Sequence, residues 1–541
     1  MKNIEIPYQH ERGKRYRFFE ILPGLLSWSL LALPFVLSFF STTAAVFFTL
    51  GYLLMWFAKA VGLNLRSLQG YRNLQRHQRL PWRHMLAELA EGKVERHDQH
   101  VPDWHYENIR RYQDTDDLSI HPDEVVHAII IATYNEAREV LEPTIQSVLK
   151  SDYNMKQVIL VIAYEERGGP EVARNVRDLV QQYGPDFKHA MAVEHPADLP
   201  GEVIGKGGNI TYAARELERY LAANNTDPNH VLVTTLDSDN RPHKHYLSAL
   251  SYVYALCPNP HQISFQPIPM FTNNIWDVPA PMRVIATGNT FWNVVLSLRP
   301  HMIRNFSSHA QTMRALIDTD YWSVRTIVED GHQFWRTYFR YDGQHAVYPI
   351  YIPIYQDAVL STNLRKTMRM QFVQLRRWAW GCTDIAYVLE KGFFTPNRVP
   401  KMDLIAKFLR LLEGHVNWAT APLLLMFSAF IPALFNPQNY ASNLLPFIAS
   451  RIQTVALTGI VITLFLSLKL LPPKPLRYKR HRSVFMVLQW VMLPLTTITY
   501  NSFSAVNAQT RLMFGRYLGK FDVTDKAVVT EDKGRVMGKK A

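Results

Sequence analysis

Residues 21–40 form a run of 20 without a charged side chain, and after Ser41-Thr42-Thr43 a second apolar run, 44–61, is interrupted only by Lys59. About 20 apolar residues suffice to cross the hydrocarbon core of a bilayer as a helix, where only helices and closed barrels satisfy their backbone. A signal peptide is the alternative, but a second run directly behind the first and no small-residue cleavage pattern favour a membrane hairpin. Two more spans are expected at 418–435 and 454–471. Residues 484–500 are apolar too, but Pro494 interrupts them and Asn501, Asn507, Gln509 and Arg511 follow. An interfacial or re-entrant helix is expected there.

Loop charge orients these segments. Arg12, Lys14, Arg15 and Arg17 precede the first run, and Lys474, Arg477, Lys479, Arg480 and Arg482 follow the fourth. The loops between, 41–43 and 436–450, carry no charge. By the positive-inside rule, both termini and the middle of the chain lie in the cytosol and the protein is multi-pass in the cell inner (plasma) membrane. The formal charge of +13 then reads as attraction to anionic lipid, with the bilayer as a partner. No nucleic-acid-binding signature accompanies it, so no nucleic acid is expected. The two cysteines, Cys257 and Cys382, form no Cys-x-x-Cys pair, which excludes a zinc ribbon and a disulfide framework.

Between the spans, short β-branched runs alternate with amphipathic stretches, as in an α/β domain with a mainly parallel sheet. Strands are expected at 125–132, 158–163 and 230–236, and helices at 137–149, 171–182 and 210–221. Polar clusters follow the strands: Thr133-Tyr134-Asn135-Glu136, Tyr164-Glu165-Glu166 and Asp237-Ser238-Asp239. Ligands of open α/β sheets bind at the C-terminal strand edges. Residues 64–123, rich in Arg, His and Gln, read as a linker.

Asp237 and Asp239 place two carboxylates on alternate residues at a strand end. That donor set suits Mg2+ or Mn2+ shared with phosphate oxygens, although Asp-x-Asp alone also fits a solvated turn. Val328-Glu329-Asp330-Gly331-His332 offers a second acidic pair, apt for taking a hydroxyl proton or for a plain acidic turn. Gln374-Leu375-Arg376-Arg377-Trp378 joins a guanidinium that can bind diphosphate to an indole that can stack on a sugar face. The same residues also fit a basic helix on a membrane surface. His243-Lys244-His245 reads as exposed histidines starting a helix rather than as a transition-metal site.

Taken in order, Thr133-Tyr134-Asn135-Glu136, Asp-Ser-Asp, Glu-Asp-Gly and Gln-x-x-Arg-Trp resemble the family 2 glycosyltransferases, specifically the cellulose synthase-like membrane branch. The resemblance covers about residues 125–390 and extends to the flanking spans. Phe521-Asp522-Val523-Thr524-Asp525-Lys526 is similar to the Phe-x-Val-Thr-x-Lys gating loop of bacterial cellulose synthases. The resemblance implies an α/β fold in which a nucleotide-sugar-binding, glycosyltransferase A-type (Rossmann-like) domain is inserted between transmembrane helices. It implies inverting transfer from a nucleoside diphosphate sugar, with UDP as the leading nucleotide, to a growing polysaccharide, with coupling to export as a further expectation. The alternatives are one sugar added to a lipid acceptor, or an inactive scaffold or transporter.

By the same resemblance, Asp239 and Asp237 hold the metal and diphosphate, and Asp330 is the base. Gln374, Arg377, Trp378 and Lys206 lie about the diphosphate and acceptor. Thr133, Tyr134, Glu136 and Glu166 line the nucleoside pocket, and Val523, Thr524 and Lys526 close over it. Phe265-Gln266-Pro267, Phe271 and Asn273 flank the acceptor. The family carries an Asp pair where this chain has Glu165-Glu166. The expected units are a tail and hairpin (1–62), a cytosolic linker (63–123), the transferase domain (124–395), an interfacial helix (396–416) and a transmembrane pair (417–472). A basic loop with an interfacial or re-entrant helix (473–516) and a gating-like tail (517–541) follow. The sequence leaves open partner subunits or an oligomer.

Overall fold

The computed structural model describes residues 3–93, 101–115, 120–479, 481–519, 528–529 and 536–537. Five of its helices are long and apolar enough to cross a membrane: α1 (Lys14–Phe40), α2 (Thr42–Arg79), Lys401–Phe435, Tyr440–Leu470 and His481–Met513. The polar break after the first run becomes a helix start, because Ser41 caps α2 by accepting from Ala44 N at 3.3 Å.

α2 runs well past the apolar stretch. Leu74, fully buried, packs on Ile268, Met270 and Val294, and so fixes the helix to the central sheet. Gly70 permits this approach: a Cβ there would lie 2.5 Å from Val294 Cγ1 and 3.0 Å from the Val294 carbonyl. The stretch read as a linker continues as α3 (Trp82–Glu91) and α4 (Asp103–Thr115). Trp82, Met85, Leu86 and Leu89 of α3 and Tyr106 and Ile109 of α4 are buried in the largest core cluster. This segment is part of the domain. Trp82→Ala should therefore cost about 3–5 kcal/mol, read as an earlier denaturation midpoint; an unchanged midpoint would mean a loose linker.

The middle of the chain is a mixed α/β domain. Its strands are β1 (Val126–Thr133), β2 (Val158–Glu165), β3 (His189–His195), β4 (Val231–Asp237), β5 (Arg241–Pro242), β6 (Ile263–Phe271), β7 (Ala310–Thr312) and β8 (Ala346–Gln356). They form one sheet in the order β3-β2-β1-β4-β7-β6-β8-β5. Strands β3, β2, β1 and β4 run parallel to one another, as do β6 and β8. β7 runs antiparallel to β4 and β6, and β5 antiparallel to β8.

Helices cover both faces, which is why the central strands read as continuous apolar runs. Ile129, Ile131, Leu160 and Ile162 pack under α3, α4, α5 (Arg138–Leu149), α6 (Pro170–Tyr183) and α8 (Tyr246–Ala255). Their alternates Ala128, Ile130, Ile159 and Val161 pack on α7 (Lys206–Ala223) and α10 (Met313–Asp318). The strand period of 2 divides them. α9 (Ala280–Ser297) lies beside α2, and α11 (Glu329–Arg340), α12 (Leu364–Ala379) and α13 (Thr383–Leu389) complete the domain.

The N-terminal tail packs on this domain. Tyr387 donates to the Ile4 carbonyl at 2.6 Å, Arg336 pairs with Glu5 at 3.2 Å, and Arg325 lies over the Tyr8 ring. The His481–Met513 helix is long enough to cross a bilayer, yet both its ends meet the domain side. Arg482 donates to the Trp276 carbonyl at 2.8 Å, and Arg17, at the start of α1, donates to the Leu512 carbonyl at 2.7 Å. Between these ends Trp490 packs on Val284 and Phe291 of α9.

Candidate functional site

The C-terminal edges of β1, β2 and β4 bring the polar clusters together. Past β1, the Glu136 carboxylate folds back to accept from Thr133 Oγ1 at 2.9 Å and from Tyr134 N at 2.8 Å. Asn209 on α7 donates to the carbonyls of Thr133 and Ala163, which ties the ends of β1 and β2 to that helix.

At the end of β2 the structure departs from expectation. Glu165, the last strand residue, is buried and lines the central cavity. Its Oε2 accepts from Arg167 at 2.9 Å and faces His195 Nδ1 at 3.2 Å. Glu166 enters the following turn and accepts from Ala197 N at 2.7 Å, away from the cavity wall. The strand is longer than its apolar run, so the wall position falls one residue earlier than the sequence reading placed it. Burial works against the charged imidazole of His195, but Glu165 and Glu202 on either side hold it up to about 9.

At the end of β4, Asp237 Oδ1 lies 2.6 Å from Lys206 Nζ, the first residue of α7. Lys206 also donates to the Ser307 carbonyl at 3.2 Å. Burial opposes its charge, yet Asp237, Glu329 and Asp330 hold its pKa above the usual lysine value. Asp239 is buried, and its Oδ2 accepts from Asp357 N at 3.1 Å, just past β8. Asn273 donates to the Asp239 carbonyl at 2.9 Å and to that of Tyr355, so the resemblance-derived Asn273 braces the acidic turn.

Glu329 and Asp330 open α11, where a helix N-terminus favours negative charge. Both are raised nonetheless. Burial is the main cause for Asp330, with Lys206 and Arg377 pulling the other way. Glu329 is raised by burial and then by the Asp330 charge.

α12, capped by Asn363 accepting from Lys366 N at 2.9 Å, carries Gln374, Arg377 and Trp378. The Trp378 ring lies 5.9 Å from that of Phe271. Thr133, Tyr134, Glu136, Lys206, Asp237, Asp239, Asp330, Gln374, Arg377 and Trp378 thus line one cavity of about 1560 Å3. That exceeds the roughly 300–1,000 Å3 of an ordinary ligand pocket, leaving room for two substrates. The cavity continues between the long apolar helices past Trp56, Trp418 and Leu425.

Among the described residues no three His, Cys, Asp or Glu side chains converge as a metal cage. Two hard carboxylates at a strand edge still fit Mg2+ or Mn2+, which takes one or two protein carboxylates and completes its shell with phosphate and water. His243 and His245 do precede α8, but His245 is buried and lies 3.5 Å from Asp152. Residues 521–526, with Val523, Thr524 and Lys526, lie outside the described residues.

Sequence reading missed Glu165 as a wall residue and Asp357 altogether. The strand-end rule would have found Glu165 with the correct strand length. Asp357 follows a strand whose prolines hide it.

No protein-family model matches the chain, and no curated protein does. Among solved structures it is similar to the mannosyltransferase PcManGT from Pyrobaculum calidifontis in complex with GDP-Man and Mn2+. The TM-score there is 0.41 at 15% identity, covering 72% of this chain and 99% of that one. It is also similar to S. aureus TarS 1–349 in complex with UDP-GlcNAc, with a TM-score of 0.35 at 12% identity, covering 77% and 97%.

Proposed function

We propose that this chain is a membrane-bound inverting glycosyltransferase of the family 2, cellulose synthase-like kind, taking a sugar from a nucleoside diphosphate donor. The observation that carries this reading is the convergence of Asp237, Asp239, Lys206, Asp330, Arg377 and Trp378 on one cavity that runs on between apolar helices. The acceptor is a growing polysaccharide, and UDP is the leading nucleotide.

In the reaction, an acceptor hydroxyl oxygen attacks the anomeric carbon as the bond from that carbon to the diphosphate oxygen breaks. The hydroxyl proton passes to Asp330, and the anomeric configuration inverts. Lys206 and Arg377 face the leaving diphosphate with fixed positive charge. Asp239 and Asp237 would hold Mg2+ or Mn2+, which neutralises charge on the departing nucleotide. Thr133, Tyr134, Glu136 and Glu165 form the nucleoside end.

The domain and both termini sit on the cytosolic face of the plasma (inner) membrane. The N-terminal tail packed on the domain supports that placement, as do the two ends of the His481–Met513 helix. This helix lies along the interface.

Asp330 accepts a proton only as the carboxylate, and its burial raises its pKa above the ordinary aspartate value. As pH falls, the working form is therefore lost earlier than for an ordinary aspartate. Sugar transfer measured across pH should show an acid limb above the ordinary aspartate value, while nucleotide binding stays flat over the same interval. A limb at the ordinary aspartate value would remove Asp330 as the base.

A further inference from the structure

One stretch of the cavity lining is basic. Arg66 on α2, Arg299, His301 and Arg304 in the loop after α9, and Arg410 on the Lys401–Phe435 helix all line it. They come from three separate elements and crowd one another. Burial and then the charges of Arg410, Arg299, Arg304 and Arg66 push His301 below the usual histidine value. Arg299 is lowered by burial and by Arg66 and Arg410.

Asp384 and Asp403 act on Arg304, but the nearby acids make their close contacts elsewhere. Glu413 pairs with Lys59 at 2.7 Å, Asp403 with Lys407, and Asp384 with His332 at 2.7 Å. None of the four arginines forms an ion pair with an Asp or Glu among the described residues: Arg410 reaches the His301 carbonyl at 3.4 Å, and Arg304 lies over the Phe334 and Trp335 rings and donates to the Ile303 carbonyl at 3.0 Å. A cluster of like charges held together without a direct ion pair costs free energy unless an anion joins it. Guanidinium groups match phosphate best.

The position says where that phosphate comes from. Arg66 follows the apolar run of α2, and Arg410 precedes that of the Lys401–Phe435 helix, so both stand at the domain-side edge of the membrane segments. Trp292, half-exposed, and Leu63 line the same wall beside them. An acyl or prenyl chain would lie against the apolar helices while its headgroup enters the cavity. Arginines that merely snorkel bind bilayer phosphates at about 1 kcal/mol each from the outer surface; these line the same cavity as Asp330.

We propose that Arg66, Arg299, Arg304 and Arg410 form an anion site for the phosphate of a lipid-carried acceptor, anchoring it while its sugar end reaches the transfer site. This adds a lipid carrier to the growing polysaccharide named as acceptor and rests on the transferase reading.

The test titrates the full-length protein in neutral detergent, with no nucleotide sugar present, with farnesyl phosphate, farnesol, phosphatidylglycerol and inorganic phosphate. Binding is followed by tryptophan fluorescence. Farnesyl phosphate should bind at least tenfold more tightly than each of the other three. Arg299→Gln with Arg410→Gln should lose that preference, and Arg299→Lys with Arg410→Lys should recover most of it.

Equal binding of farnesol overturns the proposal, as does equal binding of inorganic phosphate, which would mark a free-anion site. Equal binding of phosphatidylglycerol would mark an ordinary bilayer surface and also overturns it. The wild-type comparison stands even where a variant misfolds. Nucleoside diphosphate release is measured separately: lipid phosphate binding without any donor cleavage would sink the transferase reading and leave the anion site. Donor cleavage without the binding preference would sink only the anion site.

Discussion

Asp330→Asn should lower sugar transfer by about 10^2–10^4-fold, the range that a positioned general base supplies, with nucleotide affinity changed by less than about threefold. The substitution is nearly isosteric and removes the proton-accepting oxygen alone. The Oδ1 that accepts from Gly331 N at 2.7 Å is kept, so the start of α11 stays in place. Burial of a charge beside Glu329 is relieved, so the variant should fold at least as well as the parent. Transfer assayed with a labelled donor, beside equilibrium binding of the nucleotide, separates the two effects. Turnover retained in the variant would take the base role from Asp330.

Asp239→Asn should act differently. It removes one of two carboxylates at the end of β4 and keeps an oxygen to accept from Asp357 N, so the turn should hold its shape. Neutralising the leaving group is worth several kcal/mol in metal-assisted reactions, and transfer should fall by about 10^2-fold or more. Here nucleotide binding should fall too, and its dependence on Mn2+ should vanish, because the metal bridges protein and diphosphate. The two variants therefore divide the site. One loses the chemical step with binding intact, and the other loses metal-dependent binding first. If Asp239→Asn bound nucleotide as tightly as the parent in the presence of Mn2+, the acidic turn would not be a metal site.

The apolar runs and the central strands were legible because burial on both faces leaves no polar positions to confuse them. Val158–Glu165 reads as a strand from its first residues, but its end does not, since Tyr164 and Glu165 are polar residues still paired to β3. That misplaced the wall position by one residue and put Glu166 where Glu165 stands. Residues 82–91 were obscured by composition: Trp82, Met85, Leu86 and Leu89 fall at helical spacing, yet the surrounding Arg, His and Gln made the stretch look solvated.

β6 and β8 were hidden by Pro267, Pro269, Pro349 and Pro353, since proline argues against a central strand. The pair accommodates them with a register shift at Pro267/Ile268. Spacing in the sequence also could not show that α12 returns to the β4 edge, because that closure depends on the packing of elements more than a hundred residues apart. The motif order suggested it only through resemblance.

The central claim is that the cavity between the acidic turn and α12 cleaves a nucleotide sugar and passes the sugar on. Its most direct test incubates the purified full-length protein with a panel of UDP- and GDP-sugars, with Mn2+ or with EDTA. Released nucleoside diphosphate and labelled product are both quantified. The account predicts release and transfer for at least one donor with Mn2+, neither with EDTA, and neither for Asp330→Asn. No release from any donor by the folded parent protein, or release that EDTA and Asp330→Asn leave unchanged, would contradict it.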